Sequence, residues 1–84
     1  GGARGEANLL ASCYRRSLEE AVRLGAKSVA FPCISTGVYG YPLEAATKIA
    51  LETVRQFLET NPSIEEVRFC CFTKVEFETY RRLV

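Results

Sequence analysis

The sequence predicts an α/β fold, in the order helix, strand, helix, strand, helix, with its two strands parallel. Three observations predict it: three segments whose apolar residues recur at three- and four-residue steps, two short apolar runs between them, and a helical pattern of about 18 residues joining those runs. A strand, a crossover helix and a second strand form a right-handed βαβ unit, which places the strands side by side and parallel.

Residues 1–6, Gly1-Gly2-Ala3-Arg4-Gly5-Glu6, read as a linker. Over 7–25, Leu10, Cys13, Tyr14, Leu18, Ala21 and Val22 make an apolar stripe, while Arg15, Arg16, Glu19, Glu20 and Arg23 take the other face, so the spacing predicts an amphipathic helix. Gly25 falls where a left-handed cap ends it. The run 28–33, from Ser28 to Cys33, reads as a buried strand with Pro32 near its end, where a missing N–H breaks no ladder bond.

Residues 34–41 form a loop, and Pro42 suits the first turn of a helix over 42–60. Its inner face is built from Ala46, Ile49, Ala50, Val54, Phe57 and Leu58, and Asn61-Pro62 stops it. Residues 66–72 predict the second strand. Thr73 and Glu76 have the spacing of a capping box, opening a helix over 74–84 that carries Phe77, Tyr80 and Leu83 inward. Parallel strands require cover on both faces, which three helices and two strands do not supply. The sequence therefore reads as part of one α/β domain.

Composition agrees with a globular domain: the 84 residues are 48% hydrophobic and 25% charged. Eleven basic and ten acidic residues are interspersed, leaving a net charge of +1 and no basic footprint for nucleic acid or anionic membrane. No apolar run approaches the ~20 residues of a membrane-spanning helix, and the N-terminus lacks a signal peptide's apolar stretch, so an intracellular setting is expected. Cys13, Cys33, Cys70 and Cys71 lie in apolar runs without CxxC spacing, and the sequence has no histidine, so no metal or other cofactor is predicted and buried thiols are.

Chemistry concentrates in Ile34-Ser35-Thr36-Gly37-Val38-Tyr39-Gly40-Tyr41-Pro42, between a strand's carboxyl end and a helix N-terminus. Open α/β sheets bind ligands at that end. Gly37 and Gly40 permit close backbone approach, so successive N–H groups can converge on an anion, and the following helix adds the positive end of its dipole. Ser35 and Thr36 add hydroxyl donors. The same glycines also suit a plain tight turn, with Tyr39 and Tyr41 as packing residues. Cys33 has no histidine to activate it and is not read as a nucleophile.

The whole string Phe31-Pro32-Cys33-Ile34-Ser35-Thr36-Gly37-Val38-Tyr39-Gly40-Tyr41-Pro42 closely resembles the second ligand loop of MacroD-type macrodomains, which bind ADP-ribose and often hydrolyse its conjugates. Asn8-Leu9-Leu10-Ala11-Ser12-Cys13-Tyr14 looks like the family's preceding helix, and Phe69-Cys70-Cys71-Phe72 like its last strand. The resemblance implies the C-terminal half of a three-layer α/β/α domain. It also implies that the backbone of Ser35, Thr36, Gly37, Val38 and Tyr39 wraps the diphosphate, with Tyr39 against the distal ribose. Phe72 fits either a core position or, by the resemblance, an adenine contact.

The family's Asn-rich segment and its Gly-rich loop with an acidic residue precede the region covered here. No catalytic residue is assigned, since all ten acidic residues are glutamates that read as solvated helix and strand-end charges. The expected parent is a hydrolase that removes mono-ADP-ribose from proteins or deacetylates O-acetyl-ADP-ribose. Residues 1–84 alone are then inactive, and their partners are the domain's N-terminal half and ADP-ribose or an ADP-ribosylated protein. A non-catalytic reader, or a fragment that binds nothing, are the alternatives.

Overall fold

The computed structural model describes residues 3–32 and 42–84. Five elements follow one another: α1 (Ala3–Arg23), β1 (Ser28–Pro32), α2 (Leu43–Thr60), β2 (Glu66–Cys70) and α3 (Lys74–Leu83). β1 and β2 are parallel neighbours, paired from Ser28↔Glu66 to Pro32↔Cys70, as a single-helix crossover requires. At their start Lys27 O, just before β1, accepts from the N–H groups of Glu65 at 2.7 Å and Glu66 at 3.2 Å, tying the entry of β2 to that of β1.

α1 begins at Ala3, inside the stretch expected to be linker. Ala3, Arg4, Glu6 and Ala7 are strong helix formers, and together they outweigh the cost of about 1 kcal/mol for Gly5. It ends in a Schellman motif: Gly25 has φ +77°, its N–H donates to Val22 O at 3.0 Å, and the Ala26 N–H donates to Ala21 O at 2.9 Å. A Cβ on Gly25 would meet nothing within 4 Å, so the cost of Gly25→Ala is purely conformational. We expect a loss of about 1 kcal/mol, read as a lower denaturation midpoint, with Gly25→Asn milder because Asn tolerates this backbone better.

One face of the sheet carries the core. Val29, Phe31, Val67 and Phe69 point to the helices, where Leu10, Tyr14 and Leu18 of α1 meet Ala46, Ala50 and Val54 of α2. The two alanines let α1 and α2 approach closely. Thr47, fully buried between them, satisfies its hydroxyl by donating to Leu43 O at 2.8 Å. Tyr14 meets Phe31 and Phe69 edge-on at centroid distances of 5.0 and 6.2 Å, and Tyr80 of α3 reaches Phe69 at 5.1 Å. All three helices thus serve the same sheet face. Ile64, unread as core in the sequence, is buried in the turn before β2.

The opposite face, formed by Ser28, Ala30, Pro32, Glu66, Arg68 and Cys70, is exposed. That exposure corrects the expectation of buried thiols: Cys70 lies on the uncovered face and Cys13 on the solvent side of α1, while Cys71 is half-buried. Among the described residues no disulfide joins these three cysteines. Phe77 is also corrected. It is 56% exposed, whereas Tyr80 is buried and Leu83 half-buried. The buried face of α3 is centred between Thr79 and Tyr80, and Phe77 lies at its edge, about 60° round the helix from Tyr80.

Candidate ligand-binding site

Two elements converge on one edge of the sheet. Because β1 and β2 run parallel with Pro32 opposite Cys70, their carboxyl ends stand level, and α2 starts from Pro42. Among the described residues no side chain caps α2; the Ala46 N–H donates to Pro42 O at 3.0 Å, and the amides of its first turn have no acceptor within the helix. This end of the helix favours an anion. The segment between the two prolines, with the predicted site residues Ser35, Thr36, Gly37, Val38 and Tyr39 and also Cys33, Gly40 and Tyr41, lies outside the described residues.

Phe72 lies two residues beyond β2, which ends at Cys70 and not at residue 72 as the sequence suggested. It is 77% exposed and takes no part in the helix-on-sheet core of the described residues. The chain at Phe72 is nevertheless fixed. The capping box expected of Thr73 and Glu76 is present, with the Glu76 N–H donating to Thr73 Oγ1 at 3.1 Å and the Thr73 N–H to Glu76 Oε1 at 3.2 Å. The same oxygen accepts a shorter bond, 2.8 Å, from the Phe72 N–H. The Thr-x-x-Glu spacing signals the box, but nothing in the sequence signals this extra reach.

Charge near the start of α2 is balanced across helices. Glu44, in its first turn, accepts from Arg82 Nη2 of α3 at 2.7 Å and lies 3.9 Å from Lys48 Nζ. The Arg82 hydrogen bond and charge, with a smaller effect of Lys48, hold the Glu44 carboxyl below its usual range. A carboxylate that is more acidic when folded stabilises the fold above its ordinary pKa, and that contribution disappears as pH falls through the lowered value. We therefore expect Arg82→Ala to flatten the acid limb of a plot of thermal midpoint against pH. The change is small, because the pair is exposed.

An open apolar cleft of about 460 Å³ lies between β2 and α3, lined by Phe69, Cys71, Phe77, Tyr80, Arg81 and Val84. Among the described residues no cluster of cysteines and acids gathers to hold a metal ion, and no helix is long and apolar enough to cross a membrane.

Comparison with known proteins agrees with the fold. The Macro domain family model matches residues 1–50. The O-acetyl-ADP-ribose deacetylase of Cronobacter turicensis is 49% identical over 84 residues, covering 100% of this chain and 48% of that protein. The ADP-ribose glycohydrolase MACROD2 of Xenopus laevis is 51% identical over 74 residues, 87% of this chain and 18% of its own length. The Trypanosoma brucei macrodomain, solved in complex with ADP-ribose, superposes with a TM-score of 0.84 at 44% identity, covering 90% of this chain and 33% of that one. The chain spans about half the length of the bacterial relatives it matches, or less of longer ones.

Proposed function

This chain belongs to the Macro domain family, and from that premise we propose that it supplies the diphosphate- and distal-ribose-binding half of an ADP-ribose site in a hydrolase. The reaction is removal of mono-ADP-ribose from proteins or deacetylation of O-acetyl-ADP-ribose; relatives are named ADP-ribose glycohydrolase and O-acetyl-ADP-ribose deacetylase. One observation carries the reading: a Ser-Thr-Gly-Val-Tyr-Gly segment lies between the level carboxyl end of a parallel strand and a helix N-terminus. Backbone amides of Ser35, Thr36, Gly37, Val38 and Tyr39 hold the diphosphate, and Tyr39 lies against the distal ribose. Holding the ligand there orients it for attack by water near that ribose.

In the complete domain the exposed sheet face and the cleft beside α3 are covered by the N-terminal half, since parallel strands are stable only when both faces are buried. Expressed alone, residues 1–84 should give a broad, non-cooperative thermal transition or self-associate. A sharp monomeric transition would count against this division of the fold.

Calorimetry on the complete domain, with ADP-ribose against AMP, tests the binding reading; a diphosphate site prefers ADP-ribose by a large factor, and equal affinities would exclude it. A second reading is binding of ADP-ribose without turnover. Release of ADP-ribose from a modified protein by the complete domain separates hydrolase from reader.

A further inference from the structure

We propose that Arg82 of α3 is a positioning residue for ligand affinity: it holds the Glu44 carboxylate towards α3 and cancels its charge, so that the start of α2 stays open to a diphosphate. The inference rests on the ADP-ribose reading and deepens it, giving the last helix a share in the affinity of a loop it is not part of.

A carboxylate in the first turn of a helix sits at the positive end of the dipole and competes there with any other anion. Glu44 is the acidic residue of that turn in α2, two positions after Pro42. Left alone, it would set a negative charge beside the segment proposed to hold two phosphates. Both its oxygens are turned to cations instead. Oε1 accepts from Arg82 Nη2 at 2.7 Å, Oε2 lies 3.9 Å from Lys48 Nζ, and among the described residues neither accepts from a backbone N–H of α2.

Lys48 is the ordinary neighbour four residues on, whereas Arg82 arrives from 38 residues away on another helix, so helical spacing does not explain the shorter contact. An exposed pair of this kind adds little to the stability of the fold. Its effect on a ligand with two negative charges is larger, because each phosphate feels the carboxylate that Arg82 neutralises.

The test is a double-mutant cycle on ADP-ribose affinity, by calorimetry on the complete Macro domain carrying this segment, with thermal midpoints in parallel. Arg82→Ala should weaken binding about threefold at about 20 mM KCl and far less at about 500 mM, where exposed charges are screened. Glu44→Gln should act in the opposite direction and tighten binding about twofold. The two together should bind within about 1.5-fold of the parent. Arg55→Ala changes the net charge equally from an exposed site about 16 Å along α2 from Glu44, and should leave affinity at the parent value.

If Glu44→Gln weakens binding as Arg82→Ala does, the pair is only a tie between helices, and the inference fails while the ADP-ribose reading stands. The same holds if Arg82→Ala binds like the parent, if its loss persists with Glu44→Gln present, or if Arg55→Ala matches it. No binding of ADP-ribose by the parent domain overturns both readings together.

Discussion

Gly37→Glu in the complete domain should abolish ADP-ribose binding, raising Kd by two to three orders of magnitude with little change in thermal midpoint. Gly37 is the centre of the Ser35–Tyr39 stretch proposed to wrap the diphosphate, where a bare backbone lets N–H groups reach phosphate oxygens. A carboxylate placed there about 4 Å from a phosphate charge is repelled by about 4 kcal/mol at an effective dielectric constant near 20, and each 1.4 kcal/mol is tenfold in affinity. Gly37→Ala adds bulk without charge, so its smaller loss separates steric from electrostatic exclusion. Calorimetry reads both. Affinity unchanged in Gly37→Glu would end the assignment of the diphosphate to this loop.

The largest effect on stability is expected from Tyr14→Ala, at about 3–5 kcal/mol, measured by urea denaturation of the complete domain. Tyr14 is 1% exposed and is the side chain on which the packing converges: its ring meets Phe31 from β1 and Phe69 from β2 within one cluster that also holds Ala46 and Ala50 of α2. Removing it opens a cavity that backbone elements on three sides cannot collapse to fill. Domains of this kind are stable by only about 5–15 kcal/mol in total, so the variant should sit close to unfolding. Tyr14→Phe keeps the ring and should lose far less. A loss below about 1 kcal/mol for Tyr14→Ala would mean that the aromatic cluster is not the centre of the core.

Most of the scaffold was legible in the sequence because its signals are local. Apolar spacing marked the helices, Gly25 marked the end of α1, the Thr73–Glu76 spacing marked the start of α3, and a single crossover helix required parallel strands. The misreadings came where a decision depends on what lies across from a residue. Phe77 looks inward by spacing, but Thr79 and Tyr80 take the inner face; Cys70 looks buried by composition, but its sheet face has no cover among the described residues. Thr47 and Thr79 escaped notice for the converse reason: a polar residue is buried at little cost once its hydroxyl donates to a carbonyl one turn back, Leu43 O and Val75 O here. The loop reading rests on the whole string, whose residues 33–41 lie outside those described. Glycines and hydroxyls at those spacings are common, and their backbone geometry is not encoded in periodicity.

The two ends of the 33–41 segment are held by contacts that bypass it. Pro32 is registered against Cys70 through the sheet, and α2 is anchored by its packing on α1 and by the Arg82–Glu44 pair. A chain arranged in this way can change the composition of the segment between its anchors while the anchors stay where they are. On the proposed binding role, substitutions in that segment should change ligand affinity while leaving the thermal midpoint nearly unchanged.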